Sequence, residues 1–352
     1  METLAPDLLL SVRNLTKAFP VRKGLLQRTT EAVHALNGVD FDLRPGETLG
    51  LVGESGSGKT SVARTLLRLV QPDAGSAMFR SRTLSAGQTP AEIDLFAADP
   101  RTLKQVRRDI QIVFQDPFSS LNPRLSIATN IAEPLRANRI GNATERRARV
   151  AQLLQDVGLR SDLMQRYPHE LSGGQRQRVA IARALALQPD FIVADEPVSA
   201  LDVSIQAQVM NLLLDLQQKR GLAYLFIAHD LSVVRYMSRR IAVMYLGRIV
   251  EMADAESLFQ APRHPYTEAL IASVLEPKPG ARKRHAPLQG DVASPIRLPS
   301  GCPFHPRCRY AQDICRSERP PLRAITPGHL SACHFAEQMP AISPAAPPGT
   351  LR

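Results

Sequence analysis

"GESGSGKT", residues 53 to 60, fits the pattern G-x-x-x-x-G-K-[ST] and stands between the apolar run "LGLV" (49 to 52) and an amphipathic stretch. In that stretch Ala63, Leu66, Leu67 and Val70 fall at i, i+3, i+4 and i+7, one face of a helix. A strand, a glycine turn and a helix therefore follow in order. Gly53, Gly56 and Gly58 let the backbone curl so that successive N–H groups and the helix N-terminus face an anion. In this reading Lys59 holds the β- and γ-phosphates of a nucleotide, Thr60 ligates Mg²⁺, and Glu54, Ser55, Ser57 and Ser61 complete the cradle. An ordinary glycine turn is the alternative, and the strand-turn-helix context weighs against it.

Further along the chain, "FIVAD" (191 to 195) and "AYLFIA" (223 to 228) read as buried strands. Between them Val209, Leu212, Leu213 and Leu216 hold one helix face, and Gly221 is placed to end it. Such alternation predicts an α/β domain with a mainly parallel central sheet. Residues 8 to 52 read as strands with turns, interrupted by a basic insert, "VRKGLLQRTTEA" (21 to 32), expected as a surface loop. Residues 73 to 100 suit small antiparallel strands and loops, and 126 to 188 read as largely helical. After about residue 262 the composition shifts toward Pro, Arg and His, so a domain boundary is drawn there. The ending "MPAISPAAPPGTLR", 339 to 352, is expected to be a disordered tail.

The chain has 352 residues, 44% hydrophobic and 22% charged, which excludes a fibrous or mainly disordered protein. No apolar run reaches the roughly 18 residues of a membrane span, and Leu8-Leu9-Leu10 lacks the basic flank and cleavage site of a secretory signal. A cytoplasmic location follows as the expectation. The net charge of +11 is scattered, so a basic solvated surface is the first reading, ahead of nucleic acid or an anionic membrane face.

"FIVADEP", 191 to 197, sets two carboxylates at a strand end, where α/β folds place ligand-binding groups. Asp195 would bind Mg²⁺, and Glu196 would orient or deprotonate an attacking water. In "LSGGQRQRV", 171 to 179, Ser172 and Gln175 match a capping box, so a helix from Gly173 would start with free N–H groups and a partly positive end. Taken alone, both features also suit ordinary strand and helix ends.

The glycine-lysine loop, "LSGGQ", "ADEP", "SALD" (199 to 202), Gln115 in "VFQDP" and His229 in "FIAHD" occur in the order seen in ATP-binding cassette ATPases. The chain strongly resembles that family over about residues 8 to 262. The resemblance implies a P-loop ATP-binding cassette with an antiparallel β subdomain, a helical subdomain at about 115 to 188, and ATP with Mg²⁺ as cofactors. It also implies that two such domains pair head to tail. Ser172, Gly173, Gly174 and Gln175 would then meet the partner's γ-phosphate, and Asp202 would link the two sites. Gln115 would sense Mg²⁺ and water while coupling to a membrane partner, and His229 would steady the γ-phosphate. Phe19 is the candidate for stacking on adenine, with a core role as its alternative.

"FQDPFSSLNPR", "HPYTEAL" (264 to 270) and "GCPFHPRC" (301 to 308) narrow the resemblance to ATPase subunits of bacterial oligopeptide and dipeptide importers, whose relatives also carry nickel. The implied partners are two permease subunits, a second ATP-binding cassette subunit in a heterodimer, and, indirectly, an extracytoplasmic binding protein. The implied position is peripheral, on the cytoplasmic face of the plasma membrane. A soluble cassette ATPase acting on nucleic acid or ribosomes is the runner-up, and no nucleic acid is expected in the preferred reading.

Cys302, Cys308, Cys315 and Cys333 follow C-x5-C-x6-C-x17-C within an extension taken as 263 to 338. Four thiolates of this kind can bind Zn²⁺ or hold a [4Fe–4S] cluster, and four free cysteines are the remaining reading. The resemblance favours the iron–sulfur cluster.

Overall fold

The computed structural model describes residues 4–23, 28–86, 89–274 and 293–340. The expected tail from residue 341 on, and residues 24–27 of the basic insert, lie outside the described residues. The chain divides into two units, Met1–Leu15 with Asp40–Leu49 and Thr60–Ala228, and Thr16–Val39 with Gly50–Lys59 and His229–Arg352.

Three strands pass through both units: β1 (Leu10–Lys23), β2 (Arg28–Leu43) and β3 (Thr48–Val52). Residues 21–23 and 28–32 of the basic insert thus belong to the ends of β1 and β2, where a loop was expected. β-branched Val21, Thr29 and Thr30 suit extended backbone, and the charges of the insert do not prevent it. The first unit continues with α1 (Lys59–Leu66), β4 (Ala74–Ala86), β5 (Thr89–Asp94), α2 (Pro100–Val106) and β6 (Ile110–Val113). The helical stretch follows as α3 (Pro117–Ser120), α4 (Ile127–Ala137), α5 (Ala143–Asp156) and α6 (Gly173–Ala184). It closes with β7 (Phe191–Asp195), α7 (Val203–Arg220) and β8 (Ala223–Ala228).

One sheet of this unit has the order β2-β1-β4-β5, with β4 and β5 antiparallel as the sequence predicts. The other runs β3-β8-β7-β6, and here the pairings β6 to β7 and β7 to β8 are parallel, in register through Ile112, Val193 and Leu225. Every residue of β7 and β8 is buried, which explains their unbroken apolar sequence. The helix ends obey local chemistry. Asn142 and Glu145 form a capping box on α5, and Gly221 ends α7 in the left-handed region at φ 66°. Helix α1 stops at Leu66, short of the predicted Val70, because Arg68 turns to φ 52° while its guanidinium donates to the carbonyls of Leu95, Phe96 and Ala98.

The second unit adds α8 (Leu231–Met237), β9 (Arg240–Tyr245), β10 (Arg248–Asp254), α9 (Ala255–Gln260) and α10 (Pro265–Val274). Then come α11 (Asp313–Ser317), β11 (Arg323–Thr326) and β12 (His329–Ser331). Its strand order is β11-β12-β10-β9-β3, and the pairs β9–β10, β10–β12 and β11–β12 are antiparallel. Tyr245, Tyr266 and Phe304 pack edge-on or tilted against one another, with centroids 4.8 to 5.4 Å apart, and tie β9 and α10 to the loop between the first and second cysteines.

Beside them His264 is 1% exposed and accepts the Tyr266 amide at Nδ1, 3.1 Å away. Burial pushes its pKa down to about 3, whereas an unfolded histidine titrates near 6.5. The unfolded chain therefore takes up the proton first. The stability that His264 contributes is complete above about pH 6.5 and is lost toward pH 3, at up to about 1.4 kcal/mol per pH unit. Urea unfolding from pH 7 to 4.5 is expected to show this slope, and His264→Asn to flatten it.

Candidate nucleotide-binding site

In the second unit the loop after β3 closes on itself. A Cβ on Gly53 would sit 2.1 Å from the Met244 carbonyl oxygen. Gly58, at φ +106°, would bring one within 2.4 Å of the Ala35 oxygen, so neither position admits a side chain. The Ser57 amide donates to the Glu54 carbonyl at 3.1 Å, and the Gly247 amide donates to the Ser57 carbonyl at 2.9 Å. Lys59 is 5% exposed, and its Nζ donates to the carbonyls of Gly53 at 2.7 Å and Glu54 at 3.0 Å and to Ser57 Oγ at 3.4 Å. Ser55 and Gly56 form an exposed tip.

In the first unit Thr60, next in the chain, donates from Oγ1 to Asp195 Oδ1 at 3.2 Å. Asp195 ends β7 and is buried. A hydroxyl and a carboxylate are hard oxygen donors, the set that Mg²⁺ takes beside nucleotide phosphates. The following residue, Glu196, adopts φ 49°, a left-handed conformation that costs a non-glycine residue on the order of 1–3 kcal/mol. It is held there by its amide, which donates to the Ile227 carbonyl at 2.9 Å, and by its own carbonyl, which accepts from Ser199 Oγ at 3.1 Å. Gln115 Nε2 donates to Glu196 Oε2 at 3.1 Å. Thr60, Asp195, Gln115 and Glu196 thus form two adjacent pairs at one strand end, while Ser61, half-buried, packs in the first turn of α1.

Helix α6 starts as expected. Ser172 Oγ accepts the Gln175 amide at 3.3 Å, and Gln175 Oε1 accepts the Ser172 amide at 3.0 Å. Ser172 and Gly173 are exposed, and a Cβ on Gly174 would meet Ile205 Cγ2 at 2.5 Å. Ser172→Ala is expected to lower the unfolding free energy in urea by about 1 kcal/mol through loss of the cap. Asp202, at the N-cap of α7, makes no side-chain capping bond there and is exposed. In the second unit His229 is exposed ahead of α8, whose N-cap Asp230 accepts the Ser232 amide at 2.7 Å. Phe19 lies on β1, 36% exposed, with Lys17 Nζ 5.6 Å from its ring centroid.

Two residues that the sequence reading missed hold the glycine loop. The Glu54 amide donates to the Tyr266 hydroxyl at 2.8 Å, and the Glu54 carboxylate takes both terminal nitrogens of Arg307, at 2.7 and 3.0 Å. Both belong to stretches already singled out, "HPYTEAL" and "GCPFHPRC", which carried a resemblance and a cysteine spacing but no sign of a contact with residue 54.

The four cysteines are free thiols lining one cavity of about 170 Å³ in the second unit. Burial pushes the Cys308 thiol up to about 11 and Cys333 up to about 12, so both are neutral thiols at pH 7. Among the described residues no group of three or more His, Cys, Asp or Glu is arranged to hold a metal ion. The zinc and [4Fe–4S] expectations therefore find a shared cavity but no ligand geometry.

A glycine loop that closes on a buried lysine in one unit, and a hydroxyl and two carboxylates at a strand end in the other, are each among the parts of a phosphate-loop ATPase. The ABC transporter family profile matches residues 36–199, and that of the oligopeptide/dipeptide transporter C-terminal region matches residues 250–315. The oligopeptide transport ATP-binding protein AppF of Bacillus subtilis is 48% identical over 94% of this chain and 98% of its own. The di/tripeptide transport ATP-binding protein DppF of Pseudomonas aeruginosa is also 48% identical, over 94% of this chain and 99% of its own. A dimeric ATP-binding cassette solved in a post-hydrolysis state with ADP and Pi superposes at TM-score 0.58 and 31% identity, covering 70% of this chain and 98% of that one. This chain belongs to the ABC transporter ATPases, in the branch of the oligopeptide/dipeptide importers.

Proposed function

We propose that the chain is the ATP-hydrolysing, energy-coupling subunit of a bacterial importer of di- and oligopeptides, acting from the cytoplasmic face of the plasma membrane on two permease subunits. The observation that carries this is the paired geometry at the end of β7, Thr60 to Asp195 and Gln115 to Glu196, in a chain whose relatives are named for peptide transport. Among the described residues no helix is long and apolar enough to cross a membrane, which suits a peripheral subunit.

In the mechanism that follows, Lys59 exchanges the Gly53 and Glu54 carbonyls for phosphate oxygens of ATP. Thr60 and Asp195 are the residues that would hold Mg²⁺, which neutralises charge on the β- and γ-phosphates when bound. Glu196 orients the attacking water and takes its proton as the new O–P bond forms and the bond to ADP breaks. Gln115 keeps the Glu196 carboxylate aimed. His229 steadies the γ-phosphate, and Phe19 stacks on adenine.

The start of α6, Ser172 to Gln175, serves the ATP of a second cassette, and Asp202 links the two sites. That partner is a different chain in a heterodimer, and an extracytoplasmic protein delivers the peptide to the permeases. Residues 8–262 form the cassette and 263–338 the extension. A structural [4Fe–4S] cluster on Cys302, Cys308, Cys315 and Cys333, with Zn²⁺ as the alternative, rests on the shared cavity, and iron and acid-labile sulfide assays after anaerobic purification test it.

Copurification of a tagged chain from membranes in mild detergent tests the function. Two permease subunits and a second cassette are expected. Ribosomal or nucleic-acid partners without any membrane protein would overturn the transport role and leave the ATPase chemistry standing.

A further inference from the structure

Glu54 places a carboxylate inside a loop built to receive anions. Left unpaired, that charge would oppose the phosphates that the surrounding N–H groups attract. Arg307 answers it through two parallel N–H···O bonds, and its side chain is only 6% exposed, against 26% for Glu54. A guanidinium buried so far needs a carboxylate in good geometry, and the bidentate fork supplies one. The backbone of the same residue is fixed independently, because the Glu54 amide donates to the Tyr266 hydroxyl. Tyr266 and Phe304, three residues ahead of Arg307, pack against one another as tilted rings with centroids 5.4 Å apart, so both holding groups rise from one packed cluster. The Glu54 carbonyl in turn accepts from the Ser57 amide and from Lys59 Nζ. A displacement at Glu54 therefore reaches the lysine directly.

We infer that Arg307 and Tyr266 are positioning residues for ATP: Arg307 cancels the Glu54 charge inside the glycine loop, Tyr266 fixes that loop's backbone, and ATP affinity thereby depends on the segment after residue 262. The inference rests on the reading of residues 53–60 as the ATP site. It assigns these side chains no contact with the nucleotide and no part in the chemical step. Their loss is expected to raise KM with little change in kcat, the signature of weakened binding common to ground and transition states.

The test uses the purified full chain, a fluorescent ATP analogue for affinity and phosphate release for turnover. Arg307→Leu is expected to weaken binding and raise KM about tenfold or more, with kcat within about threefold. Glu54→Gln added to Arg307→Leu is expected to restore most of that affinity, since the charge requiring an answer is gone. A purely structural role for Arg307 predicts no such rescue. Tyr266→Phe keeps the ring and removes the acceptor, and about a threefold rise in KM is expected, a reading that stands even where Arg307→Leu does not fold.

Wild-type affinity in Arg307→Leu, or a double variant no better than the single one, overturns the role of Arg307. An unchanged KM in Tyr266→Phe overturns that of Tyr266. Failure of the wild-type chain to bind the analogue, or binding unaffected by Lys59→Ala, instead overturns the ATP-site reading and the inference with it.

Discussion

Glu196→Gln is expected to bind ATP and hydrolyse it about 10²- to 10⁴-fold more slowly, the range for losing a positioned general base. The substitution keeps side-chain length and one carbonyl-type oxygen, so the contact from Gln115 Nε2 has an acceptor to return to. It also leaves the backbone at φ 49° with the same two supports, the Ile227 carbonyl and Ser199. What is lost is the capacity to take a proton from the attacking water. ATP that enters but does not turn over should hold two cassettes together, so the variant mixed with its partner cassette is also expected to elute as a dimer with ATP and Mg²⁺ and as separate monomers with ADP. Phosphate release and size-exclusion chromatography read the two effects separately. Turnover within a few-fold of wild type would sink the assignment of Glu196. Loss of ATP binding would instead point to collapse of a strained strand end.

That strain was the part of the site hidden from sequence. The place of Glu196 at a strand end was legible because two carboxylates follow a buried apolar run, but nothing in "FIVADEP" shows that the second adopts a left-handed backbone. The parallel strands were legible for the same reason, since complete burial leaves β7 and β8 without polar alternation. The Ser172 and Gln175 cap was legible because it is local, a bond pair between residues three apart. The Glu54–Arg307 pair spans 253 residues and joins two segments with no shared period. The basic insert misled in the opposite direction: charge suggested a loop where β1 and β2 continue, because the β-branched Val21, Thr29 and Thr30 favour extended backbone. Helix α1 ended early for a tertiary reason as well, the capture of Arg68 by three carbonyls outside the helix.

Lys59→Ala is expected to lower affinity for ATP by about 10²-fold or more, since the variant forfeits charge-assisted hydrogen bonds worth on the order of 1.5–3 kcal/mol each. The geometry offers a competing account that the same variant separates. Lys59 Nζ already bonds the Gly53 and Glu54 carbonyls, so its role could be to tie the loop. A tie alone predicts a lower melting temperature without nucleotide and an affinity little changed once the loop closes around ATP. A phosphate ligand predicts the reverse weighting, a large loss of affinity with a modest shift in melting. Lys59→Arg sharpens the distinction. It keeps the charge but not the compact ammonium that fits between two carbonyls at 2.7 and 3.0 Å, so a steric fault of the loop would show in Arg and not in Ala. The ammonium leaves those carbonyls only for a stronger partner, and the γ-phosphate, the most highly charged phosphate of ATP, is that partner. ATP should accordingly stabilise the wild-type chain more than ADP does, and Lys59→Ala should erase most of that difference in a thermal melt.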